Sequence, residues 1–209
     1  MATGSGTTER YHHQLVRERD NPAWEYLTEE RGLRPFWIKQ FKLGWVQEPA
    51  RGHERYVGRI SIPYLTAHGE VRGLRFRRID GERPKYDGDP GVQAHLFAVR
   101  YASERLVYVT EGEFDCMIVH QIGKRAVGVP GANHFKREWR WAFRHAGLVI
   151  GVLDGNGDTK AAAMFKTGLA QSLRDMPPTL LFKQMPEGHD VNSLFLEDRK
   201  ALLRELEVR

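Results

Sequence analysis

The stretch 106–122, LVYVTEGEFDCMIVHQI, constrains the fold of this chain more than any other. A run rich in β-branched and aromatic residues leads into Glu111-Gly112. Phe114, Met117, Ile118, Gln121 and Ile122 follow at helical spacing, so the segment reads as strand, tight turn, helix. Glu111 then stands at the carboxyl end of a buried strand. In open α/β sheets, loops and helix N-termini converge on that edge and ligands bind there. Taken alone, Glu111 and Asp115 have an equally good structural explanation, the favourable placing of acids at the positive end of a helix.

The rest of the second half repeats the pattern. Apolar strands are predicted at 106–110, 126–129, 148–153 and 179–182, with helical segments between them. The helix predicted over 159–173 carries Ala161, Phe165, Leu169 and Leu173 at a spacing of four. Continuous apolar strands joined by helices specify an α/β fold, a mostly parallel sheet with helices on both faces. A last helix, 198–208, is expected to cover one end.

The first half reads differently. The Gly/Ser/Thr-rich start predicts disorder over 1–21, ended by Asp20-Asn21-Pro22, a helix start with a capping side chain and a first-turn proline. That helix carries Trp24, Tyr26 and Leu27 and stops at Gly32. Pro35 opens another short helix whose aromatics, Phe36, Trp37 and Phe41, are expected in the core. From 59 to 79 the period changes to two and a β-hairpin is predicted. On its second strand Leu74 and Phe76 face one way, Arg75 and Arg77 the other. With Arg59 and Lys85 these arginines form either a phosphate-binding surface or a solvated strand face. Residues 80–93 are rich in glycine and proline and read as a mobile loop.

Composition narrows the function. The chain has 209 residues, 41% hydrophobic and 28% charged, which suits one domain or two small ones. No apolar run is long enough to span a bilayer and no signal peptide is evident, so a cytoplasmic protein with no membrane partner is expected. Cys116 is the single cysteine, which excludes an internal disulfide and a multi-cysteine zinc site. Cys116 and His120 are four apart on a helix, but two ligands do not make a zinc site and a small buried thiol is the better reading. The net charge is +5, with a pI near 9.4. The arginines and lysine collect in 51–85, the acids at 111–115, 154–158 and 187–190.

Three strand ends deliver acids to one edge of the predicted parallel sheet: Glu111 and Asp115, then Asp154, Asn156 and Asp158, then Asp190. Crowded carboxylates either raise their pKa values or take a divalent cation between them. Oxygen ligands without thiolate or paired histidine select Mg²⁺ or Mn²⁺, ions that bridge phosphates in attack on phosphorus. In the DGNGDTKAA segment, Asp158 is either a ligand or the cap of the following helix. No GxxxxGK[ST] occurs, which excludes a P-loop ATPase or helicase.

These residues resemble a family. EGEFD at 111–115 after an apolar strand, LDGN at 153–156 before an alanine-bearing helix, and GHD at 188–190 are similar to the Toprim fold of DnaG-type primases, topoisomerases and some nucleases. The resemblance to primases extends upstream through YLTEERGL at 26–33, FKLG at 41–44, RISIP at 59–63, GEVRG at 69–73 and PKY at 84–86. It covers roughly 22–197 in the right order. It implies a basic N-terminal subdomain at 22–104, a Toprim catalytic domain at 105–197 and a C-terminal helix at 198–209.

By that resemblance Glu111 is the catalytic acid or base, and Asp115, Asp154 and Asp190 help to hold metal. Arg75, Arg77 and Lys85 contact template, nucleotide or primer. Asn156 stands where the family usually has a second aspartate, leaving either a weaker metal site or one rebuilt with Asp158. The implied function is synthesis of short RNA primers on single-stranded DNA from ribonucleoside triphosphates. The family's zinc-binding module and its helicase-contacting region have no counterpart here, so both are expected to act in trans with a phage-type or plasmid-type core. A Toprim nuclease and a non-catalytic replication accessory protein are the competing readings.

Overall fold

A computed structural model of the chain describes residues 4–89, 91–131, 135–155 and 160–208. They fall into two compact units, Met1–Gln93 and Ala94–Arg209.

The first unit opens with a helix where disorder was expected. In α1 (Gly4–Arg17), Thr8, Tyr11 and Leu15 repeat at helical spacing and are buried. That apolar stripe outweighs the Gly/Ser/Thr composition of the first residues, because an amphipathic helix gains its stability from the face it packs. Asn21 caps α2 (Pro22–Glu25) by accepting from the Trp24 N–H at 2.8 Å. A π-helical turn, Tyr26–Glu30, continues it to Gly32, which takes a positive φ of 64°. In α3 (Pro35–Gln40) Ile38 is buried, but Phe36 is 63% exposed. The expectation that all three aromatics here belong to the core therefore holds for Phe41 but fails for Phe36 and is met only partly by the half-buried Trp37: α3 is too short to bury more than one side, and the Phe36 ring meets Trp37 edge-on.

Four strands form an antiparallel sheet in chain order: β1 (Gly44–Trp45), β2 (Ile60–Leu65), β3 (Val71–Arg77) and β4 (Tyr86–Gly88). The hairpin β2–β3 pairs Ile60 with Arg77 and Ile62 with Arg75. Part of the predicted mobile loop is ordered as β4, because Tyr86 pairs across the ladder with Arg77 and Asp89 accepts from the Leu74 N–H at 3.0 Å. Tyr11, Val46, Tyr56, Leu74 and Phe76 make the core, with Tyr56 and Phe76 stacked at 3.8 Å.

In the second unit all four strands run parallel in the order β6-β5-β7-β8: β5 (Leu106–Thr110), β6 (Ala126–Gly128), β7 (Leu148–Leu153) and β8 (Thr179–Gln184). Val107, Val109, Val127 and Val149 pack on one face against Trp139, Phe143, Phe165 and Leu169. Those four come from a 3-10 stretch, Arg137–Phe143, and from α5 (Lys160–Leu173). Tyr108 alternates to the other face, where its hydroxyl donates to the Leu206 carbonyl just past α7 (Arg199–Glu205). Between β5 and β6 runs α4 (Glu113–Gln121), and α6 (Val191–Glu197) precedes α7. Leu96, Val99 and Ala102 pack on this core, so the second unit begins upstream of the 104/105 boundary read from sequence. No described helix is long and apolar enough to cross a membrane.

The α1 packing gives a first test. The buried Tyr11 hydroxyl accepts from the Ala50 N–H at 2.9 Å and lies 2.8 Å from His53 Nδ1. Tyr11→Phe keeps the ring but strands the amide, and an unmet buried donor costs roughly 1–3 kcal/mol. Urea unfolding is expected to show a lower midpoint with an unchanged slope.

Candidate active site

The carboxyl edge of the parallel sheet carries the acids. Glu111 follows β5 directly, and Gly112 begins α4 with extended backbone. Gly128, ending β6, admits this turn: a Cβ there would stand 2.8 Å from the Gly112 carbonyl oxygen. Glu111 Oε1 is buried with no hydrogen-bond partner among the described residues. Burial first, and the charge of Asp154 second, push the Glu111 carboxyl up to about 7, against a donated hydrogen bond from the Asp154 backbone N–H. Burial, then the charge of Asp190, push Asp154 up to about 6. Asp154 thus acts on Glu111, and Asp190 on Asp154, although the three follow different strands.

Local latches hold them there. Gly155 donates to the His189 carbonyl at 2.6 Å, and a Cβ on it would come within 1.8 Å of the Pro186 carbonyl oxygen, so only glycine lets the turn after β7 close on the loop after β8. Asp190 caps α6: its Oδ1 accepts from the Ser193 N–H at 2.6 Å, and Ser193 Oγ returns a bond from the Asp190 N–H. Asp115, in the first turn of α4, accepts from the Asn192 N–H at 3.0 Å. Its carboxylate therefore ties α4 to the start of α6. Asn156 and Asp158 lie outside the described residues.

Among the described residues no group of three or more histidines, cysteines and acids is arranged to hold a metal ion. Glu111 and Asp154 nevertheless fit a hard divalent cation: both are oxygen donors, both are held partly dry against a like charge, and one oxygen is buried without a partner. The Cys116–His120 pair is core. Burial pushes the Cys116 thiol up, and holds the His120 imidazole down at about 4, with its Nε2 2.9 Å from the Ala126 carbonyl.

The basic residues belong to the first unit. On β3, Leu74 and Phe76 point into the core while Arg75 and Arg77 lie over the ring of Tyr86, at 4.4 and 4.7 Å from its centre. Arg77 also lies 5.9 Å from the Tyr26 ring. Stacking on the tyrosine face holds both guanidiniums in place. Arg59 is different: its Nη1 stands 3.7 Å from Asp87 Oδ2 and it stacks on Tyr56, so it braces β2 toward β4. Lys85 is exposed just before β4. Sequence reasoning missed Tyr86 and Tyr26 as supports, because both lie far from the arginines in sequence and no spacing rule links them.

The two sheets and the acid-bearing edge define the Toprim type of fold found in DnaG primase catalytic cores. No protein-family model matches the chain. The solved DnaG primase catalytic domain bound to ssDNA superposes with a TM-score of 0.76 at 21% identity, covering 96% of this chain and 79% of that one. A DNA primase of Clostridium acetobutylicum is 25% identical over 77% of the chain, which spans 28% of that primase's length. The Gene 57 protein of Mycobacterium phage D29 is 33% identical over 158 residues, 72% of this chain and 98% of that protein. The chain belongs to the family of this phage protein.

The raised carboxyls make stability depend on pH. Unfolded carboxyls release their protons near pH 4, whereas those of folded Glu111 and Asp154 do so near 7 and 6. Below pH 4 neither weakens the fold; from there the unfolded carboxyls charge before the folded ones, so stability falls until pH passes about 6 for Asp154 and about 7 for Glu111, and then levels off. In chelator, Glu111→Gln is expected to match wild type at pH 4 and to exceed it at pH 8 by about 1–3 kcal/mol, allowing for partial exposure. Urea midpoints at the two pH values check this; a variant weaker than wild type at pH 8 contradicts it.

Proposed function

We propose that this chain is the catalytic core of a DNA-directed RNA primase, joining ribonucleotides on a single-stranded DNA template by metal-dependent nucleotidyl transfer. The observation that carries the reading is Glu111: a buried, unpartnered carboxylate oxygen at a strand end, crowded by Asp154. The Toprim core fold and the DNA primase relatives supply the reaction class, and the solved ssDNA complex of the DnaG domain supports a single-stranded template.

In this reading Glu111, Asp154 and Asp190 hold Mg²⁺ or Mn²⁺, with no zinc in the core. The ion, when bound, neutralises phosphate charge and makes a hydroxyl a better nucleophile. The Asp154 N–H fixes one oxygen of Glu111 and leaves Oε1 to orient the attacking hydroxyl or take its proton. A carboxyl poised near 7 suits a general base at neutral pH. Asp190 is held in one orientation by its capping box, and Asp115 keeps α6 in register with α4. Arg75, Arg77 and Lys85 contact phosphates of template, primer or triphosphate. A replicative helicase and a zinc-binding module are the partners this reading implies in trans.

The test supplies purified protein with labelled ribonucleotides, single-stranded DNA and Mg²⁺ or Mn²⁺, scored for extension against cleavage. Wild type is expected to extend, and Glu111→Gln to lose at least about a hundredfold, a barrier increase near 2.7 kcal/mol, while still binding DNA. Activity within about tenfold of wild type takes Glu111 out of the chemistry, and strand shortening makes the protein a nuclease.

The basic face is tested separately. Replacing Arg75, Arg77 and Lys85 by alanine is expected to weaken single-stranded DNA binding and to reduce the salt slope by about 0.7 for each phosphate no longer neutralised. An unchanged slope in the triple variant means a solvated face.

A further inference from the structure

The connection between β6 and β7 carries a feature that the chemistry at the sheet edge does not use. Its sequence over 136–145, KREWRWAFRH, alternates cations with aromatics around a single acid, Glu138. The alternation has two sides. Trp139 and Phe143 are buried in the core of the second unit, at 8% and 0% exposure, and fix the 3-10 stretch on the sheet face. Trp141 is turned outward and is 54% exposed, an unusual position for the largest apolar side chain. The Arg140 guanidinium lies 4.7 Å over its ring, and Arg144 Nη1 donates to the Trp141 carbonyl at 3.1 Å. Arg137 and Arg144 are exposed, and neither they nor Lys136 and Arg140 have an ion-pair partner among the described residues. Glu138, two or fewer residues from Arg137 and Arg140, pairs with neither.

We propose that Trp141 with Arg137, Arg140 and Arg144 forms a contact surface for single-stranded nucleic acid on the second unit, built from residues other than the acids at the sheet edge. The chemistry is that of a stacking platform in a positive field. Unpaired guanidiniums neutralise backbone phosphates and release counterions, and an exposed indole offers a ring to an unstacked base. Arg140 over the ring restricts the indole before any strand arrives, which lowers the ordering needed on binding. The indole also selects among polyanions: a duplex hides its base faces, so only a single strand uses Trp141. Binding at this surface needs neither metal nor nucleotide, so it stands or falls apart from the primase reading.

The experiment measures anisotropy of a labelled oligo-dT and of a duplex of equal length against the full chain, in chelator and at several salt concentrations. Trp141→Ala is expected to weaken oligo-dT about tenfold, with Trp141→Phe close to wild type and duplex binding nearly unchanged. Combined Arg137→Gln, Arg140→Gln and Arg144→Gln is expected to lower the oligo-dT salt slope by about 2, roughly 0.7 for each charge. Because Trp141, Arg137 and Arg144 are exposed, melting temperatures should stay at the wild-type value, which separates weakened binding from unfolding. Unchanged affinity and slope in both variants overturn the proposal. Equal losses for duplex and single strand in Trp141→Ala overturn the stacking assignment with it.

Discussion

Two carboxylates held partly dry within reach of each other's charge are the constraint on which the second unit depends. Left to themselves, Glu111 and Asp154 would separate into water. They do not, because each follows a strand of one parallel sheet, and parallel pairing of β5 with β7 sets both strand ends on the same edge. Glycine completes the confinement at the two places where backbone meets backbone, Gly128 under the Gly112 turn and Gly155 against Pro186. A fold under selection for stability alone would place apolar side chains there, since paired or crowded buried charge seldom adds net stability. Acids kept at such a position are what the proposed binding and chemistry would use.

How much of this was legible in the sequence depended on the range of the interaction that decides each element. The segment from Leu106 to Gln121 was legible because a five-residue apolar strand, a glycine turn and a helical repeat are all local signals, and β7 was legible for the same reason. The opposite faces of β3 followed from a period of two. The helix α1 was obscured by its composition, although Thr8, Tyr11 and Leu15 do repeat at helical spacing. β4 was not legible, because what orders Tyr86 is a ladder to Arg77 and two guanidiniums over its ring. Phe36 and Trp37 were assigned to the core by their type, and only the packing of α3 shows which side of that helix is buried. The acids could be grouped on one edge from topology, whereas the Gly155–His189 latch and the Asp115–Asn192 bond needed coordinates.

Both units position charged side chains with neutral groups. In the first, Tyr86 holds Arg75 and Arg77 through the faces of its ring, whereas Arg78 is bound by Asp80 and Glu82. In the second, backbone N–H groups do the corresponding work for acids: Asp154 N–H on Glu111, Ser193 N–H on Asp190, Asn192 N–H on Asp115. A neutral donor orients a carboxylate and leaves its charge for a cation or a proton. An arginine in the same place would have oriented it equally well and cancelled its charge.

The order of causes at Glu111 decides what kind of device the site is. Desolvation outweighs the charge of Asp154 in raising its carboxyl, so the poise near neutral pH is a property of the packed edge more than of the acid pair. A pair held up mainly by mutual repulsion would shift as soon as either partner were neutralised, and Glu111 would fall back to an ordinary carboxylate whenever a proton took the charge of Asp154. A carboxyl held up mainly by burial keeps much of its basicity through such an event. Protonation of Asp154 therefore removes only the smaller of the two causes that raise Glu111.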